Sequence, residues 1–354
     1  MQGIELSRRF HTDIVRPWLN DVAPGLRHSA ALMGYGSELL GFDDETSRDH
    51  NWGPRVHIFL AREQFGELGR RLVHQFTAVA PATYLGEPIG WRSRPHPPAS
   101  GPESVGAPEH GLEFHTVEAL LKGHFAVESA EHLTPVQWLG FAEQKLLAFT
   151  SGAVFHDDDN RLGRVRDLLS YYPDDVWLYK IACQWRRIAE EQAFVGRTGQ
   201  VGDDLGSRVI AARLVRDVMR MGFLLERRYA PYSKWLGSGF TRLPIAKPLM
   251  PHLQRALLAA DWRERQDALA SAYLELANRQ NAIGFATFEP ITGPYHERPF
   301  TTINTDDAVE AAHSAITDAW IKRLPIVGAL DQVSDLTPLL EDAGKSQKLM
   351  AAIT

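Results

Sequence analysis

Residues 32–60 read LMGYGSELLGFDDETSRDHNWGPRVHIFL, and the fold of the N-terminal part turns on them. A short apolar run, Ala30 to Met33, leads in and has the make-up of a buried strand. It stops at Gly34-Tyr35-Gly36-Ser37, a glycine-bearing turn. Asp49 follows Ser37 by twelve positions, Asn51 comes two residues later, and a second strand-like run spans Val56 to Ala61. A turn of this kind exposes backbone N–H groups that can hold phosphate oxygens. Side chains two residues apart on extended backbone point the same way. Asp49 and Asn51 are therefore placed to share one Mg²⁺, a cation that takes hard oxygen ligands and keeps several waters.

Upstream, Leu6, Phe10, Ile14 and Trp18 recur every four residues, which predicts an amphipathic helix ending before Pro24-Gly25. Downstream, residues 63–80 predict a helix with Phe65, Leu68, Leu72 and Phe76 on one face. The stretch from Gly86 to Pro108 holds Pro88, Pro95, Pro97, Pro98 and Pro102 and reads as irregular, either a flap over a site or a loop. Gly111 to Val117 alternates and predicts a third strand, with Glu113 between apolar neighbours. Helix, strand, turn, strand, helix, loop, strand is the order of a small mixed sheet.

Past residue 130 the pattern turns helical. Thr134-Pro135 and Pro173-Asp174-Asp175 start helices, the second with Trp177, Ile181, Trp185 and Ile188 on one face. Residues 203–229 and Leu257–Asn281 read as further helices, separated by a loop-like aromatic-basic cluster, Arg227 to Trp235. The fold class expected is α+β: a mixed-sheet domain over 1–130, then a mainly helical domain over 131–354.

Composition narrows the function classes. A net charge of −6 over 354 residues gives no general electrostatic case for a nucleic-acid partner. The single cysteine, Cys183, excludes an internal disulfide and a Cys-based zinc site, and reads as a small core residue. The start, MQGIELSRRFHTD, lacks the apolar core of a signal peptide, and no run reaches the roughly 18 apolar residues of a membrane span. The expectation is a cytoplasmic protein with no membrane partner; self-association is compatible with the sequence. The fourteen histidines show no HExxH-type spacing and read as scattered surface residues. His50 and His57 flank the candidate site and could touch a substrate.

The 32–60 stretch resembles the signature of the DNA-polymerase-β-like nucleotidyltransferases: an apolar strand, Gly-Ser, a spacer, Asp-x-Asp or Asp-x-Glu, and a third carboxylate on a later strand. Within that superfamily it is similar to an uncharacterised bacterial family, typed as a domain of unknown function, that carries GSExLGFD and then DHDWGPR. Here those places read Gly36-Ser37-Glu38-Leu39-Leu40-Gly41-Phe42-Asp43 and Asp49-His50-Asn51-Trp52-Gly53-Pro54-Arg55. The resemblance continues through Trp177–Trp185, Ala193–Arg208 and Tyr229–Trp235. It implies a nucleotidyltransferase α/β domain completed by a helical domain. The implied activity is transfer of a nucleoside monophosphate, AMP from ATP or another nucleoside triphosphate, to a hydroxyl or amine of a small molecule. A two-metal Mg²⁺ site would assist, and pyrophosphate would leave. Gly36 and Ser37 would hold the triphosphate, Asp49 and Glu113 the metal, with Glu113 alternatively the base that deprotonates the acceptor, and Arg208 and Lys234 would lend basic side chains from the helical domain. The departure is Asn51, where the signature has an acid. An amide ligates through its carbonyl oxygen but brings no charge, so transfer is expected to be strongly reduced. The alternatives are a nucleotide-binding sensor or partner protein without transferase activity, and a transferase acting on a protein side chain.

Overall fold

The four-residue recurrence at the N-terminus does produce helix. Gly3–Phe10 continues through a π turn, His11–Val15, into Arg16–Val22. Leu6, Phe10, Val15 and Leu19 are buried from this run, one apolar stripe facing the core. The computed structural model describes residues 1–48, 52–90, 104–106 and 110–354. The chain packs as two units. The first is Met1–Thr134 with Gln144–Ser170 and Glu341–Gln347; the second is Pro135–Glu143 with Tyr171–Leu340 and Lys348–Thr354.

The first unit is built on a mixed five-stranded sheet. Its strands are β1 (Ser29–Leu32), β2 (Val56–Phe59), β3 (Ser104–Gly106), β4 (Leu112–His115) and β5 (Ala153–Asp157), in the spatial order β3-β4-β2-β1-β5. β1 runs antiparallel to β2 and to β5; β4 runs parallel to β2 and antiparallel to β3. A parallel pair needs a crossover, and the helix Arg62–Val79 supplies it. The period of two sorts the side chains. Ala30, Val56, Ile58, Leu112 and Phe114 join Phe10, Leu72 and Phe76 in one apolar cluster. Burying a large side chain of this kind is worth about 1.5–3 kcal/mol, so register is strongly specified. The alternate positions, His57, Phe59, Glu113 and His115, point to the opposite face.

The expected α+β arrangement, a small mixed sheet followed by a mainly helical region, is present. Several details differ from the sequence reading. The proline-bearing stretch 86–108 is not wholly irregular: Glu87–Pro88 pairs with Thr83–Tyr84, and Ser104–Gly106 is an edge strand. An edge strand can sit between prolines because one row of its backbone groups needs no partner strand. Residues 91–103 and 107–109, which include most of the suspected flap, lie outside the described residues. β5 comes from a segment read as helical, so a division after residue 130 differs from the observed units. The helix expected over Leu257–Asn281 is two, Ala246–Leu258 and Trp262–Ile283. Asp261 caps the second, accepting from the Arg263 N–H at 2.7 Å.

In the second unit the helix Asp174–Glu191 is central, with the helices Asp204–Leu225 and Thr305–Ser314 packed on it. It buries residues nearly all round, including Trp177, Trp185 and the expected core cysteine, Cys183. Trp177 donates to the Leu224 carbonyl at 2.8 Å and Trp185 to Gln280 Oε1 at 2.7 Å. Lys180 is buried on the same helix and pairs with Glu143 at 2.9 Å. Tyr172 donates to the same carboxylate at 3.4 Å, and the Ala230 N–H does so at 3.3 Å. Burial works against a charged Glu143, but Lys180 and Arg220 outweigh it and hold its pKa down. Burial and the Glu143 charge push the neighbouring Asp331 up to about 6. Among the described residues no helix is long and apolar enough to cross a membrane.

Removing one member of a buried ion pair leaves an uncompensated charge. Lys180→Ala is therefore expected to cost about 3–5 kcal/mol, read as a lower urea midpoint. The pair-neutral double variant Lys180→Met with Glu143→Gln should recover much of the loss.

Candidate functional site

Beyond β1 the chain leaves the sheet through the Gly34–Ser37 turn. The Gly34 N–H donates to the Ala148 carbonyl at 2.9 Å. Gly36 has φ +116°, a region that side chains with a Cβ rarely adopt, and a Cβ there would collide with Glu38 and Arg55. Ser37 opens a single 3₁₀ turn, Ser37–Leu40. The Glu38 side chain turns inward to Arg55, both of them 1% exposed. Arg55 also donates to the Tyr35 carbonyl at 2.9 Å and lies over the Tyr35 ring, 4.5 Å from its centre. Burial works to lower the Arg55 pKa, but the Glu38 charge and Tyr35 hold it above its ordinary value. Two residues of the quoted motif thus clamp the loop shut. A third, Asp43, accepts from the Gly3 N–H at 2.7 Å and from Trp52 Nε1 at 3.3 Å. That sets a carboxylate at the start of the first helix, where the helix dipole favours it. Asp49, His50 and Asn51 lie outside the described residues. On either side, the Ser47 N–H donates to Asp44 at 2.8 Å, and the Arg55 N–H donates to Ser7 Oγ at 3.1 Å.

Glu113 stands on β4 directly beside His57 of β2. It is not on an edge strand, and it is 5% exposed. Tyr35, from the turn, donates to Glu113 Oε1 at 2.9 Å, and His115 Nε2 lies 3.2 Å from Oε2. The paired residue on β3 is Gly106, where a Cβ would meet the Glu113 Cγ at 2.9 Å. A glycine there leaves the carboxylate room. Burial alone would raise the Glu113 pKa; His115, His57 and the Tyr35 hydroxyl outweigh it and hold the carboxyl at about 2. Burial also pushes His57 down to about 3. His57 is therefore neutral near pH 7, and the carboxylate is then held chiefly by its hydrogen bonds. Burial and the Glu113 charge raise the Tyr35 hydroxyl, so it stays a donor. Neither nitrogen of His57 has a hydrogen-bond partner among the described residues.

The histidines were misread from sequence. His11, His28, His57, His110 and His115 are buried, all in the first unit. The signal available was strand pattern: His57 lies between Val56 and Ile58, and His115 follows Phe114 in the alternating run Leu112-Glu113-Phe114-His115. A second grouping, His28, His156 and Asp158, gathers near the start of β1 and the end of β5. Beside it is a cleft of about 280 Å³ whose lining includes Arg27, His28, Glu63, Asp159 and Arg161. Ser29 pairs with Phe59, so this cleft lies at the end of the β1–β2 pair opposite the Gly36-Ser37 turn. Arg27 is paired with Asp159, and Arg161 with Glu118.

Arg208 and Lys234 belong to the second unit. Arg208 pairs with Asp204 one turn away at 2.6 Å, and Lys234 lies over the Trp235 ring at 4.9 Å. The structure thus brings Gly36, Ser37 and Glu113 together through Tyr35, and gives Arg208 and Lys234 local partners of their own.

Residues 138–236 match the family model for a domain of unknown function, DUF4037. The expected kinship with an uncharacterised family holds for this segment, which contains Trp177–Trp185, Ala193–Arg208 and Tyr229–Trp235. No curated protein matches the chain. The DUF4037 segment also carries Glu143, Tyr172, Lys180 and Ala230, so the buried network of the second unit is drawn largely from it.

Burial holds His57 at about 3 and His11 and His124 at about 4. These groups stay neutral in the fold while the unfolded chain takes up protons near pH 6.5. Stability is then complete above pH 6.5 and falls as pH drops, by about 2 kcal/mol for each fully buried histidine on reaching pH 5. Glu113 adds a loss lower down, from its unfolded value near 4.5 toward 2. Urea unfolding at pH 7.5 and 5.0, in chelator, should show this fall, and His57→Leu should make it shallower.

Proposed function

We propose that the first unit binds a nucleoside triphosphate at the Gly36-Ser37 turn and transfers its monophosphate, AMP from ATP, to a small-molecule hydroxyl or amine. The observation that carries this reading is the Tyr35–Glu113 hydrogen bond. It ties the glycine-serine turn to a buried carboxylate that is ionised at neutral pH, on the strand beside β2.

The described residues fit part of a hard-cation site. Glu113 offers carboxylate oxygen, fixed in place by Tyr35 and His115. Asp49 and the Asn51 amide oxygen would be the other donors. Magnesium, when bound, supplies positive charge against the triphosphate and the departing pyrophosphate. The acceptor oxygen or nitrogen attacks the α-phosphorus, and the bond to the bridging oxygen breaks. With a pKa near 2, Glu113 is too weak a base to take the acceptor proton, which passes to solvent water or to the departing pyrophosphate; the part of Glu113 is to hold charge. Gly36 and Ser37 would cradle phosphate oxygens, on a turn kept rigid by the Glu38–Arg55 pair.

Pyrophosphate release with Mg·ATP and a metabolite extract, run on this chain and on Asn51→Asp, tests the reading. The Asp variant should be faster by roughly tenfold or more, and Glu113→Gln slower by roughly a hundredfold. ATP affinity should fall in Ser37→Ala and Asp49→Ala. If both leave it unchanged, no nucleotide site exists at the turn. ATP binding without turnover in either chain would instead assign a nucleotide-binding protein without transferase activity.

A further inference from the structure

His57, Glu113 and His115 each present a ligand atom, and these atoms lie within 4.8 Å of one another. All three side chains are buried. Among the described residues neither His57 nitrogen has a hydrogen-bond partner. An imidazole shut away from water with neither nitrogen satisfied is costly, and native interiors rarely keep one without use. A neutral imidazole carries one N–H and one lone pair, and with a carboxylate oxygen and a second imidazole nitrogen within 4.8 Å of it, a cation is the electron-pair acceptor that would take that lone pair. Tyr35 already orients the carboxylate through Oε1, as outer hydrogen bonds orient metal ligands. Gly106 keeps the opposite strand clear of Glu113.

We propose that His57, Glu113 and His115 bind a first-row divalent cation of the zinc class. Two imidazole nitrogens and one carboxylate oxygen suit Zn²⁺, Fe²⁺ or Co²⁺, whereas Mg²⁺ demands oxygen ligands. Three protein ligands leave positions open for water or a phosphate oxygen. This rests on the reading of Glu113 as a metal carboxylate, and changes which metal that carboxylate serves. His115 turns from Glu113 Oε2 to the metal, and the carboxylate gains the cation in its place.

The probe is Co²⁺, added to the metal-stripped full chain, with the visible absorption of the bound ion and metal content as readouts. One Co²⁺ per chain is expected, undisplaced by millimolar Mg²⁺. His57→Leu and His115→Leu should each weaken binding at least a hundredfold. His57→Leu should melt no lower than the parent in chelator, because it removes an unsatisfied polar group. Tyr35→Phe should keep the absorption with weaker binding. A folded chain with no bound-cobalt absorption overturns the site, as does an absorption that His57→Leu leaves intact. Mg·ATP binding on the same samples separates the two readings. Cobalt without nucleotide binding sinks the transferase reading alone; nucleotide binding without cobalt sinks this one alone.

Discussion

Arg55 carries its charge into the interior of the first unit, and the loop between β1 and β2 is arranged to answer it. Glu38 supplies the opposite charge, the Tyr35 carbonyl accepts a hydrogen bond, and the Tyr35 ring lies under the guanidinium. A buried pair of this kind is weak evidence for net stability, since both charges lose their water. Its value lies in specificity. Gly36 lies against the pair at φ +116°, where a Cβ would collide with both side chains, so the pair requires glycine there. Tyr35 is held from two sides in consequence, and its hydroxyl is delivered to Glu113.

The two faces of the sheet then divide the labour. One is apolar and fixes register through Val56, Ile58, Leu112 and Phe114. The other face puts His57, Glu113 and His115 together, because β2 and β4 are parallel and in step. A slip by one residue would send these polar groups into the apolar core. The hydrophobic packing on one side therefore sets the geometry of the titratable groups on the other.

Much of this was legible in the sequence, and the misses have physical causes. A strand-like run located β2, alternation located β4, and helical periodicity located the N-terminal helix and Arg62–Val79. β5 was missed because its five residues, Ala153–Asp157, lie in a stretch read as helical and run straight into Asp158-Asp159, so only the pairing with β1 marks them as a strand. Ser104–Gly106 was missed because prolines on both sides masked a strand that only β4 supports. The histidines were misjudged because burial of a polar face depends on what covers it. His124, from the helix Val117–Phe125, lies close enough to Gly34 that a Cβ there would meet its ring at 3.3 Å, a contact that only tertiary packing sets. Lys180 was readable: it sits one turn from Trp177, between the apolar runs Val176–Tyr179 and Ile181–Cys183.

Asn51 takes on a different meaning once His57 and His115 are counted as metal ligands. A site built from three carboxylates holds its metal with negative charge, and that charge also repels a triphosphate. Replacing one acid by an amide lowers both effects together. Imidazole nitrogens hold a metal without adding negative charge. Under the two proposals, His57 and His115 would restore the metal affinity that Asn51 gives up, without restoring the repulsion. Metal choice and the loss of the second acid would then be one adaptation, and the asparagine would not by itself mark a decayed enzyme.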